Sequence, residues 1–108
     1  MENRNTTSER ACYDSEKYLE KALKKAVEKR RGLCIKLLSQ HMVGLPDRMC
    51  LLPKGKIVFV EVKSKGKKPR KIQKIVHDRL KGLGFLVLVV DSRESLAELE
   101  NLFEDGQE

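Results

Sequence analysis

The sequence predicts an α/β (α+β) domain: a small mixed sheet flanked by helices, in the order α-β-β-β-α-β-α. Three observations predict it. Apolar residues recur at helical spacing in three separate stretches. Between them lie four short runs rich in Val, Ile, Leu and Phe, bounded by Gly, Pro and Ser. The chain has 108 residues, 40% hydrophobic and 36% charged, which fits one domain with a small core. Dimerisation would add buried surface to such a core.

Residues 1–14 read as a loose N-terminal arm, 15–104 as the domain and 105–108 as an acidic tail. Asp14 or Ser15 is placed to cap the first helix. Tyr18, Leu19, Ala22, Leu23, Ala26 and Val27 share its apolar face, and Gly32 stops it. Leu33 to Leu38 reads as a strand and Ser39 to Pro46 as a loop. Arg48–Leu52 and Ile57–Lys63 read as two strands of a hairpin, turning at Pro53-Lys54-Gly55-Lys56. Ser64 to Pro69 is a basic loop. Ile72, Ile75, Val76, Leu80 and Leu83 mark a second amphipathic helix, ended by Gly84. Phe85 to Val90 is uninterrupted apolar, the pattern of a strand buried on both faces with a helix against each. Ser92 caps a last helix with apolar positions Leu96, Leu99, Leu102 and Phe103. Core packing explains that stripe more simply than a partner subunit does.

The net charge is +7, but its distribution says more. Residues 1–90 hold 22 basic and nine acidic side chains, whereas residues 91–108 hold one base and seven acids. One basic block runs from Lys21 to Lys36 and another from Lys65 to Lys81. Such a field attracts a polyanion and makes binding salt-dependent. Nucleic acid is the first candidate; an anionic membrane surface or a solubilising face remains the plainer one. Two Tyr, three Phe and no Trp give poor support for a base-stacking platform. No apolar run reaches the length of a membrane span, and the N-terminus lacks the apolar stretch of a signal peptide. Cys12, Cys34 and Cys50 match neither a disulfide framework nor paired zinc ligands. A reducing, cytoplasmic location is expected. Neither a Walker loop nor a dinucleotide-binding glycine loop occurs.

The chemistry concentrates at Asp47, in Gly44-Leu45-Pro46-Asp47-Arg48, and at Glu61-Val62-Lys63. A hairpin that starts at Asp47 and returns at Glu61 brings both carboxylates to one end of a sheet. Two converging carboxylates are costly unless a cation lies between them, and a hard ion such as Mg²⁺ or Mn²⁺ suits oxygen ligands. Strand alternation puts Phe59, Glu61 and Lys63 on one face and Val60 and Val62 on the other. The carbonyl of Val62 is a further candidate ligand. The amine of Lys63 is suited to a water nucleophile and to charge on an attacked phosphate. Asp47 also reads as a turn residue, and Glu61 and Lys63 as a solvated strand end. The apolar strand before them and the basic loop after them favour the site.

These residues resemble the VRR-NUC family of the PD-(D/E)xK nucleases, in its small stand-alone form. Gly44 to Arg48 looks like the family's Gly-hydrophobic-Pro-Asp signature, and Phe59 to Ser64 like its Glu-x-Lys strand. Gln73 matches a downstream Gln, and Gly84-Phe85 with the Val run matches the closing strand. Glu20 matches the acid of the first helix, while Gly32 to Lys36 fits the segment after it. The likeness spans roughly residues 15–100. Arg31 departs from it, standing where relatives usually have a second Gly.

The resemblance implies a restriction-endonuclease-like core. It implies a metal held by Asp47, Glu61 and the Val62 carbonyl, with Glu20 acting through water. It gives Lys63 to the nucleophile, and Gln73 to Lys63, water or the phosphate. It also implies a homodimer that cuts branched DNA such as four-way junctions. Glu16 shares the helix face of Glu20 and is the alternative acid. Lys65, Lys67, Lys68, Arg70, Lys71 and Lys74 are expected to track the DNA backbone. Arg48 is expected to bind phosphate or to pair with Asp47. Lys36 reads equally as a phosphate contact and as an edge lysine facing water. His41 and His77 read as ordinary surface residues, and Cys34 and Cys50 as core. A non-cleaving nucleic-acid-binding module and an RNA-directed nuclease are the rival readings.

Overall fold

The computed structural model describes residues 15–105. The proposed arm at 1–14 and most of the acidic tail therefore lie outside the described residues. Helix α1 is Glu16–Lys29, strand β1 Leu33–Lys36, strand β2 Arg48–Leu52 and strand β3 Lys56–Val62. Helix α2 is Lys71–Gly82, strand β4 Leu86–Val90 and helix α3 Arg93–Asp105. The order among the described residues is the one the sequence predicts.

Local chemistry sets the boundaries. Ser15 caps α1 by accepting from the Tyr18 N–H at 3.2 Å. Arg31 follows α1 in the left-handed region, at φ 63°. That is the conformation in which glycine carries no Cβ penalty, and it explains the Gly expected there. A Cβ on Gly32 would come within 2.4 Å of the Leu51 carbonyl oxygen, so the chain can pass β2 there only without a side chain. Ser92 caps α3 by accepting from the Ser95 N–H at 3.1 Å.

The sheet order is β1-β2-β3-β4. The first two pairings are antiparallel and β3–β4 is parallel, so the sheet is mixed. Strand β1 is two residues shorter than expected. Leu37 leaves the ladder and donates its N–H to the Asp47 carbonyl at 2.8 Å.

Helices α1 and α3 cover one face. Leu19, Leu23, Ala26 and Val27 of α1 meet Leu96, Leu99 and Phe103 of α3 over Cys50, Val58, Val60, Val62 and Val90. The α3 stripe is thus core. Helix α2 lies on the other face, against β4.

The sheet differs from expectation at β4. Leu86 and Val89 are exposed by 43% and 36%, although helices pack against both faces of the strand. The reason is position. An edge strand has a neighbour on one side only, so a continuous apolar run does not ensure burial. Cys34, expected in the core, is only half-buried on edge strand β1.

Candidate active site

Strands β2 and β3 run antiparallel, so their turn at Pro53–Gly55 lies at one end of the sheet. Asp47, just before β2, and Glu61, near the end of β3, therefore share the other end. The Asp47 side chain closes the junction: its Oδ2 accepts the Val62 N–H at 2.8 Å. This bond places the carboxylate of Asp47 beside the peptide joining Glu61 to Val62. Pro46 is fully buried and Gly44 packs closely on α2, which seats the loop before Asp47. A Cβ on Gly44 would come within 2.8 Å of the Ile72 carbonyl, and its φ of +95° also favours glycine.

Glu61 points away from the main core, on the face shared with Phe59 and Lys63. It is 1% exposed. Its Oε2 is held twice: Lys63 Nζ lies at 3.2 Å, and Gln73 Nε2 donates to it at 2.9 Å. The orientation of the Gln73 amide follows from its second bond, since Oε1 accepts the Arg70 N–H at 2.8 Å. One side chain thus caps α2 and fixes Glu61. Glu61 Oε1 is buried and makes no hydrogen bond. Burial, then the negative charge of Asp47, raises the Glu61 pKa against the opposing pull of Lys63 and Gln73.

This donor set fits a hard divalent cation. It offers two carboxylates of like charge, one with a buried orphan oxygen, and a backbone carbonyl at Val62. A cation there would compensate both the burial and the repulsion. Among the described residues, no three His, Cys, Asp or Glu side chains gather into a metal cluster. Glu20 therefore does not complete a three-residue cluster with the pair. Its Oε1 lies 3.4 Å from Arg48 Nε, an ion pair that joins α1 to the first residue of β2. Arg48 therefore turns to Glu20 rather than to Asp47. Glu16 is exposed on the first turn of α1.

The remaining basic residues surround this end. Lys65, Lys67, Lys68, Arg70, Lys71 and Lys74 are all exposed, on the loop after β3 and the first turns of α2. Lys36 is exposed and sits opposite Arg48 in the β1–β2 register.

His77 is a correction. It is not a surface residue but 5% exposed, and its Nε2 lies 3.8 Å from Glu61 Oε1. Burial and the charge of Lys81 lower its pKa, favouring the neutral ring. The available signal was its spacing: His77 follows Gln73 by four residues, so the two share a helix face. His41, by contrast, is exposed as expected.

One surface concavity, of about 510 Å³, is lined by Leu52, Pro53 and Lys54 at the far end of the hairpin and is remote from both carboxylates. Another, of about 440 Å³, is lined by Lys68, Lys74, His77 and Lys81 and adjoins the site. Chemistry, not size, marks the functional end.

No protein-family model matches the sequence. The chain is 45% identical over 76 residues to "Putative nuclease p44" of Acyrthosiphon pisum secondary endosymbiont phage 1, covering 70% of this chain and 82% of that protein. The fold matches a solved "VRR_NUC domain" with a TM-score of 0.75 and 36% identity, over 80% of this chain and 94% of that one. The chain belongs to the VRR-NUC family of nucleases. Its mixed sheet with three helices is the VRR-NUC fold. Among the described residues, no helix of this VRR-NUC chain is long and apolar enough to cross a membrane.

Proposed function

We propose that this VRR-NUC chain is a divalent-metal-dependent endonuclease that hydrolyses phosphodiester bonds in branched DNA. The observation that supports it best is the buried Glu61 carboxylate, held by Lys63 and Gln73 beside Asp47 with one oxygen left over. A binding module gains nothing from such a pair, because clustered carboxylates repel phosphate.

Asp47, Glu61 and the Val62 carbonyl would hold Mg²⁺ or Mn²⁺, which supplies Lewis-acid stabilisation of a phosphoryl oxygen and a more acidic water. Asp47 is fixed for that role by the Val62 N–H. Lys63 stands at Glu61 and adds positive charge where the attacked phosphate gains negative charge. Gln73 keeps Glu61 from swinging toward solvent. Glu20 acts at longer range, through Arg48 or through water. The exposed lysines and arginines of the loop after β3 hold the flanking backbone, with Arg48 and Lys36 at the opposite margin.

A homodimer acting on four-way junctions extends this reading. One subunit has one site and cuts one strand, whereas a two-fold dimer presents two. The exposed apolar side chains of Leu33 and Ile35 on β1, of Ile75 on α2 and of Leu83 just after it supply surface for it.

The test is cleavage of end-labelled four-way junction, flap, splayed and duplex DNA, with single-stranded DNA and RNA alongside. Each is run with Mg²⁺, Mn²⁺ or EDTA, and with Asp47→Ala in parallel. Metal-dependent cutting of the junction that Asp47→Ala lacks is the expected result. Tight binding without cutting under any metal would refute it, and preferential cutting of RNA would move the substrate class.

A further inference from the structure

Two buried polar atoms of the site make no hydrogen bond, and they face each other. Glu61 Oε1 and His77 Nε2 are 3.8 Å apart, just beyond hydrogen-bond length. A buried carboxylate oxygen and a buried ring nitrogen are each costly when unpaired. A hydrogen bond from Nε2–H to Oε1 would satisfy both. Nothing comparable is available to Glu61 from its own strand, since Lys63 already lies at Oε2.

The arrangement has a partner in Gln73. That residue is one helical turn before His77 on α2, and its amide holds the other oxygen, Oε2, at 2.9 Å. Gln73 and His77 are two of the three buried residues of α2, with Val76 between them. Filling this space required only an apolar side chain, yet the helix presents two polar ones to the same carboxylate.

We infer that His77 is a positioning residue that donates to one lone pair of Glu61 Oε1 as Gln73 donates to Oε2, so that α2 orients the carboxylate and leaves the other lone pair of Oε1 to a metal. The inference rests on the reading of Glu61 as a metal ligand. A neutral ring donates one N–H and adds no charge to the site. The fixed tautomer is Nε2–H. Outer groups that orient a ligand in this way typically change metal affinity 10- to 100-fold when removed.

Two variants separate anchoring from packing. His77→Leu keeps apolar volume and removes the donor, while His77→Gln carries an N–H donor to roughly the Nε2 position. We expect His77→Leu to fold, with Mn²⁺ affinity lower by about 10- to 100-fold and kcat lower to match, at unchanged KM for DNA. We expect His77→Gln to recover most of both. Wild-type affinity and kcat in His77→Leu, or equal loss in His77→Gln, overturns the inference. A second readout needs neither metal nor cleavage. The ¹⁵N shifts of the His77 ring in metal-free protein should report the Nε2–H tautomer in wild type and a mixture in Glu61→Ala. A mixture in both also overturns it. If wild type binds no Mn²⁺, the nuclease reading fails while this tautomer comparison still decides whether His77 anchors Glu61.

Discussion

The two faces of β3 make different use of neighbouring residues. Val58, Val60 and Val62 turn to α1 and α3 and are at most 1% exposed, in a dry apolar cluster. Phe59, Glu61 and Lys63 alternate with them and turn to α2. There a carboxylate is buried with one oxygen unpaired, and its pKa is raised. The first face burns no stability on polar groups. The second accepts an electrostatic penalty at the place where the chemistry is proposed. One strand thus separates the apolar core from the proposed site by its period of two.

The sharpest way to break this division is to exchange the consequences. Asp47→Ala, Glu61→Gln and Lys63→Ala are expected to lower kcat by about a thousandfold or more, roughly 4 kcal/mol of transition-state stabilisation. Their circular dichroism should stay native. Single-turnover cleavage of a labelled junction measures the first effect. A variant that loses activity only because it unfolds would erase the distinction between the faces.

On the apolar face the expectation is reversed. Leu23 is fully buried between α1 and the sheet. Leu23→Ala should lower stability by about 2–5 kcal/mol, through lost transfer energy and the cavity it leaves. Urea titration measures this. At temperatures where the variant is folded, its kcat should be near wild type.

A finer contrast uses pH. Burial and Asp47 raise the Glu61 pKa in the folded chain. Between the ordinary carboxylate value and that raised value, the native protein holds more protons than the unfolded chain does. Metal-free stability is therefore greatest below the ordinary value, falls as pH rises through the window and then levels off. Glu61→Gln should remove that slope and raise the neutral-pH midpoint of the metal-free protein by a few degrees, the scale of about 1 kcal/mol. Divalent cations should stabilise wild type and not this variant. A flat wild-type profile would place the penalty elsewhere.

The division was partly legible in the sequence, and the particular residues show why. Alternation along Phe59-Val60-Glu61-Val62-Lys63 is a local property, so the two faces could be assigned without tertiary information. The hairpin followed from Pro53 and Gly55, and with it the convergence of Asp47 and Glu61. Gln73 came through its place in a family pattern, not through any physical rule. His77 was missed because a lone histidine on a basic helix gives no signal by itself, before its place relative to Gln73 is weighed. Its spacing from Gln73 was there to be used. The exposure of Leu86 and Val89 was missed for a related reason, since an apolar run does not state whether its strand lies at the edge of the sheet. The pairing of Arg48 with Glu20, instead of Asp47, depends on where α1 crosses β2, which no local pattern encodes.

The smallest effect lies outside both faces, at the turn that follows α1. Arg31 ends the α1 segment at φ 63°, and it is exposed. An L-residue there carries a steric cost between its Cβ and backbone of about 1–2 kcal/mol, which glycine avoids at some loss of unfolded-state restriction. Arg31→Gly should therefore gain about 0.5 kcal/mol net, a midpoint rise of about 2–4 °C for a domain of this size. Because Arg31 lies near the hairpin turn end and away from Glu61, kcat should not change, and loss of one positive charge should scarcely weaken DNA binding. Thermal melts and salt-dependent binding measure the two. Unchanged stability would mean that the Arg31 side chain returns as much as its backbone costs, through its long stem lying against the surface of the concavity it lines. Double mutation with Glu61→Gln distinguishes these cases further. The sites lie at opposite ends of the hairpin, so their stabilising effects should add within about 0.5 kcal/mol if they act independently.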